Sequence, residues 1–70
     1  MDNLIAIRDV QIERKHFIIE FRENDRGRFV RITEEAHGRR NAVIIPSTGL
    51  DDFIDAFDFV VRSSPEATSQ

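Results

Sequence analysis

The sequence predicts an α+β domain in which a four-stranded antiparallel sheet is followed by a single helix. Three observations carry that prediction. Residues 17–33, FIIEFRENDRGRFVRIT, alternate apolar and polar side chains on both sides of a turn, which is the period of paired strands. Residues 4–13 begin mixed and then alternate, and residues 41–45 form a short apolar run that Pro46 ends. Leu50, Phe53, Ile54, Phe57, Val60 and Val61 recur at spacings of three and four, the period of a helix with one apolar stripe.

Taken in order, the first strand is placed at about 4–13 and Arg14-Lys15 turns the chain into a second strand at about 16–23. Asn24-Asp25-Arg26-Gly27 is a turn in which Gly27 can adopt a positive φ. The third strand covers about 28–34, and Gly38 breaks the loop that follows. The fourth, Asn41 to Ile45, is apolar on both sides after Asn41, which predicts a strand covered on both faces. Ser47 or Thr48 can cap a helix at about 48–62, with Asp51 and Asp52 in its first turn. Ser63-Ser64-Pro65 stops it, which leaves one domain at 1–64 and a frayed tail at 65–70.

The hairpin specifies its own register. If Glu23 pairs with Arg28, then Phe21 meets Val30 and Ile19 meets Ile32 on one side. Arg22 then meets Phe29 and Glu20 meets Arg31 on the other. A slip of one residue would mix the two sets. One face is core, and the other carries charge together with an aromatic ring.

Composition narrows the function classes. The 70 residues contain no cysteine, so neither a disulfide nor a thiolate metal site can brace a core of this size, and association between copies is the expected source of further buried surface. No apolar run approaches the ~20 residues of a membrane span. There is no signal-peptide pattern either, and an intracellular protein of cytoplasm, nucleoid or nucleus is expected. The net charge of −3 is unevenly spread. Residues 1–49 hold nine basic and eight acidic side chains, whereas residues 50–70 hold Arg62 against five acids. Nine of the ten basic residues are arginine, which favours stacking and bidentate recognition.

Phe29 with Arg22, Asn24 and Arg31 forms the best functional constellation, a ring on which a base could stack beside guanidinium groups and an amide. The same spacing also fits a solvated face held by an Arg22–Phe29 cation–π contact and a Glu20–Arg31 pair. Arg39-Arg40 and Arg14-Lys15 could extend a phosphate track or serve only solubility. The helical aspartates lack the loop spacing of a calcium site, and His16 and His37 have no ligand partner at zinc spacing. No nucleophile–base arrangement or phosphate-cradling glycine loop is present, so neither an enzyme nor a cofactor or small-molecule site is expected.

The segments RENDRGRFVRI (22–32) and RNAVIIP (40–46), followed by the amphipathic helix, resemble one repeat of the Pur-alpha (purine-rich element binding) family over about residues 10–61. The resemblance implies a ββββα PUR repeat, two of which intertwine into a Whirly-like domain that binds single-stranded, purine-rich DNA or RNA. A single repeat then implies a homodimer. The base-contacting positions implied are Arg22, Asn24, Phe29 and Arg31, with Arg40 a weaker match and Phe29 stacking on bases. Arg28 joins the nucleic-acid-binding set as a phosphate-neutralising arginine that reaches out from the end of the hairpin, although alternation points it toward the other face. Phe53, Phe57, Phe59 and Val60 on the helix would form the dimer interface, Phe59 lying off the stripe. Glu13 stands where relatives often have glutamine, Arg22 and Arg31 where lysine is usual, and the helix is strongly acidic. These departures keep an alternative open, a dimerisation or protein-interaction repeat with weak nucleic-acid binding.

Overall fold

The computed structural model describes residues 2–63, so the expected tail at 65–70 lies outside the described residues. Strands β1 (Asn3–Ile12), β2 (Lys15–Asn24), β3 (Gly27–Ala36) and β4 (Arg39–Pro46) form one sheet in the order β1-β2-β3-β4. Every neighbouring pair is antiparallel. A 3-10 turn, Ser47–Gly49, leads into helix α1 (Leu50–Ser63). The ββββα order is the one the periodicity predicts.

The β2–β3 register follows the alternation: Phe21 pairs with Val30, Ile19 with Ile32, Glu20 with Arg31 and Arg22 with Phe29. Asn24 and Gly27 pair as well, so the connection tightens from four residues to the two at Asp25-Arg26. Gly27 has φ +131°, a conformation that costs a side chain free energy. The Asn24 Oδ1 accepts the Arg26 N–H at 2.9 Å, an Asx turn that fixes the hairpin tip. At the opposite end, Glu13 and His37 both take φ +55° and close the β1–β2 and β3–β4 turns.

Three features depart from expectation, and one cause underlies two of them. No residue of α1 is buried, and the helix contacts the 3-10 turn rather than lying across the sheet. The expected apolar core face is therefore open, with Ile19 and Val43 both exposed. For the same reason β4 is not covered on both faces: it is an edge strand on which Val43 and Ile44 stand in solvent. The third departure is local. Ser47 and Thr48 do not cap the helix, because Pro46, still extended at φ −60° and ψ 144°, is followed by the 3-10 turn without a side-chain cap.

Candidate nucleic-acid interface

Alternation along the paired strands puts Arg22, Phe29, Arg31 and Arg40 on one side of the sheet, together with Ile7, Asp9, His16, Ile18, Glu20, Thr33, Glu35 and Ile44. This is the arginine face. Arg28 lies on the opposite, apolar side, where its guanidinium sits 5.8 Å from the centre of the Phe21 ring and 3.6 Å from Glu23. The cation–π contact of the solvated-face alternative, Arg22 on Phe29, is not formed among the described residues; Arg28 on Phe21 is. The site residues therefore divide between the two faces, with Arg22, Phe29, Arg31 and Arg40 on one and Arg28 on the other.

Phe29 is not the exposed platform that alternation suggests. It is 9% exposed and is the buried hydrophobic side chain among the described residues. It sits on a central strand between Arg22 on β2 and Pro46 on β4, and the 3-10 turn after Pro46 packs back against β3. A proline and the start of a helix close over the ring. What stays open is a cleft of about 280 Å³ lined by Asn24, Arg26, Gly27, Arg28, Phe29, Ile44 and Pro46.

The arginines of the face are held rather than free. Glu20, on β2, accepts hydrogen bonds from Arg22 Nη1 and from Arg31 Nε and Nη2, the latter at 3.1–3.3 Å. Arg31, followed by Arg22, holds the Glu20 carboxyl below the usual carboxylate range against the opposing effect of burial. Arg40 donates to Glu35 through Nε at 2.9 Å and through Nη2. Glu35 also meets His16 Nδ1 at 3.2 Å, and His16 Nε2 lies 2.7 Å from Asp9. These contacts tie all four strands together laterally and leave little uncompensated charge on the middle of the face.

Among the described residues, Arg8, Arg14, Arg26 and Arg39 have no carboxylate within 4.0 Å; Arg8 lies within β1, opposite Ile19, and the other three lie at the ends of the sheet. Arg26 lines the Phe29 cleft, and sequence reasoning missed it as a site residue. The signal was available: a basic residue at the tip of a two-residue hairpin, next to the asparagine and glycine that shape it. Of the six residues named from sequence, Asn24, Arg28 and Phe29 line the hairpin cleft, Arg22 and Arg31 share Glu20, and Arg40, paired with Glu35, lines a second cleft with Glu20 and Arg31. On the helix, Phe57 and Phe59 are 64% and 71% exposed, and Phe53 and Val60 are exposed as well.

No group of three or more potential ligands gathers among the described residues, and no helix there is long and apolar enough to cross a membrane.

A sheet of this topology, with an arginine face and a cleft at its central hairpin, belongs to the class of small β-sheet modules suited to single-stranded nucleic acid. The comparison with known families is specific. The profile of the PurA single-stranded DNA- and RNA-binding proteins matches residues 2–64, and the chain belongs to that family. It is 38% identical over 59 residues to the transcription factor Pur-alpha 1 of Arabidopsis thaliana, a match that covers 84% of this chain and 20% of that protein. It is 39% identical over 56 residues to the transcriptional activator plp-1 of Caenorhabditis elegans, covering 77% of this chain and 25% of the relative. The chain thus spans about a fifth to a quarter of the length of these relatives.

Proposed function

We propose that the chain is a non-enzymatic module that binds single-stranded, purine-rich DNA or RNA and acts as a homodimer. The observation that carries the binding is the hairpin cleft. Asn24, Arg26, Arg28 and Phe29 line it with Ile44 and Pro46, which supplies an apolar wall for a base beside an amide and the Arg26 side chain, while the Arg28 guanidinium lies over Phe21 on the opposite face. The Asn24 Oδ1 is engaged by the Arg26 N–H, so its Nδ2 donors are the groups available to a base edge. The part of Phe29 that lines the cleft is the aromatic surface offered to a base. Arg22, Arg31 and Arg40 complete the binding face, although each is already paired with a carboxylate. Family membership and the relatives' names as transcription regulators support this reading.

The homodimer rests on exposure. The helix presents Phe53, Phe57 and Val60 to solvent, and the apolar face of the sheet is partly open, with Ile19 and Val43 exposed and Phe17, Phe21, Val30, Ile32 and Ile45 half-buried. In this reading two copies intertwine, so that the helix of one covers the sheet of the other. A second reading, a dimerisation repeat with weak nucleic-acid binding, is favoured by one observation. Arg22, Arg28, Arg31 and Arg40 all have acidic partners, which lowers the charge available for phosphate.

A titration of labelled GGN-repeat DNA and RNA at two salt concentrations separates the two. Arg26→Ala and Phe29→Leu are the test variants, since leucine keeps the buried volume and removes the ring. Loss of the stacked base should weaken binding by about 1–3 kcal/mol, and affinity should fall as salt rises. Wild-type protein that binds no strand, or that ignores both substitutions while folded, overturns the binding function in favour of the dimerisation repeat.

A further inference from the structure

Within the apolar face of the sheet stands an arginine that its own chain leaves unpaired. We infer that Arg8, on β1, anchors the helix of a second copy, whose Asp51 and Asp55 meet it at the edge of the sheet. The contact sets which way round that helix lies and selects a like chain as the partner. The inference deepens the homodimer reading and rests on it.

The geometry begins with the charges on that face. Lys15 is paired with Glu34 at 2.9 Å and Arg28 with Glu23 at 3.6 Å. Arg39 stands at the end of β4 and lines a cleft at the turns with His16, Glu35 and Arg40. Arg8 has no such company. Ile19 lies directly across from it, Ala6 and Val10 are its neighbours on this face of β1, and Phe17 and Phe21 sit on the diagonals. No carboxylate comes within 4.0 Å of it among the described residues. In the open chain Arg8 is exposed to water. A cover laid over Phe17, Ile19 and Phe21 would take that water away, and an unpaired charge under an apolar cover is costly. The cover must therefore bring an acceptor to this place. Because β1 is an edge strand, the guanidinium can reach along the rim to meet it while its stem lies on apolar surface.

A cover with the matching pattern is present in the same sequence. At the pitch of a helix, Asp51 and Asp55 fall one turn apart on the flank of the α1 stripe next to Ile54. The other flank begins with Ala56 and Ser63, and Asp52 lies beyond them. Asp58 is held by Arg62 at 2.6 Å. Asp51 and Asp55 have no basic side chain within 4.0 Å among the described residues, and the helix does not lie across its own sheet. The two edges of the sheet face differ in the same way, since β4 presents Asn41, Val43 and Ile45 where β1 presents Arg8. Laid with its Ile54 flank toward β1, the helix of a second copy brings two open carboxylates to one open cation. Turned round, it sets Ala56 against Arg8 and leaves both acids unpaired.

The test is a charge exchange between copies of the whole chain, read by sedimentation equilibrium and native mass spectrometry. Arg8→Glu should raise the dissociation constant of the dimer at least about tenfold, because each sheet then repels the helix laid on it. A chain carrying Asp51→Lys with Asp55→Lys should be weakened to a similar degree from the other side. Mixed in equal amounts, the two variants should form a heterodimer of near wild-type affinity. One junction then keeps the native pair and the other holds it reversed, whereas either homodimer meets like charges at both. Variants that fold only when mixed support the anchor equally. A wild-type dimer unmoved by Arg8→Glu overturns the anchor and leaves the homodimer standing, and so do two variants that stay unfolded or apart on mixing. A wild-type chain that remains a monomer overturns the homodimer and the anchor together.

Discussion

His16 shows how much of this sheet's cohesion is carried by charge. Its ring nitrogens meet Asp9 on β1 at 2.7 Å and Glu35 on β3 at 3.2 Å, and Glu35 in turn holds Arg40 on β4. Asp9 first and Glu35 second raise the His16 pKa above the ordinary 6.5. A raised folded value means that the contribution to stability is complete below the unfolded value and is lost as pH climbs through the folded one. Urea unfolding between pH 6 and pH 8.5 should show stability falling with pH, and His16→Ala should flatten that slope. Glu20 and Glu35 act in the opposite sense. Arginine partners depress both, so their contribution is present at neutral pH and disappears as acid protonates them. A wild-type slope that is unchanged in His16→Ala would show that the His16 bridge does not form. Individual partners of this kind were the least legible part of the sequence. Alternation placed Glu20 opposite Arg31 but could not show that Arg22 turns to the same carboxylate, or that Pro46 and the 3-10 turn would bury Phe29. Those facts depend on where a chain folds back in space, and a two-residue period carries no such information.

At the scale of elements the sequence was far more readable, for a physical reason. A strand buries alternate residues and a helix every third or fourth, so each apolar pattern names both its element and its register. The hairpin pairing from Glu23–Arg28 to Ile19–Ile32 came directly from that alternation. The same periodicity marks the helix stripe, yet it says only that a face must be covered, not by which chain. That is why the helix was legible and its position was not. Its exposed stripe makes a direct prediction under the homodimer reading. Phe57→Asp or Val60→Asp places a charge where the partner's sheet would lie, and the solution mass should drop from two chains to one with concurrent loss of folded structure. Asp58→Asn is the control on the outer side of the same helix. It removes the 2.6 Å pair with Arg62, an i,i+4 interaction worth about 0.3–0.5 kcal/mol, and should leave the mass unchanged. Dimers that survive Phe57→Asp would move the interface to another surface.

The molecule as a whole is more extended than a closed domain of its length. Its radius of gyration is 14.2 Å, whereas a compact domain of 70 residues would measure about 11 Å. Its dimensions of 43 × 31 × 17 Å are those of a slab with an arm, and the apolar groups that should form a core line the outside of both parts. A chain so arranged buries too little surface to offset its conformational entropy alone, since even well-packed domains of this length are marginal. Folding and association should therefore be a single equilibrium. In such a system the midpoint of thermal unfolding depends on protein concentration, because mass action favours the dimer over two unfolded chains. Melting followed by circular dichroism at 2, 20 and 200 μM should give a Tm that rises by several degrees per decade, with one cooperative transition at each concentration. A monomeric domain that closed its helix over its own sheet would melt at one temperature throughout and would scatter X-rays with a radius near 11 Å. The two outcomes differ in kind, so a dilution series decides whether the exposed helix and sheet are each other's missing half across two chains.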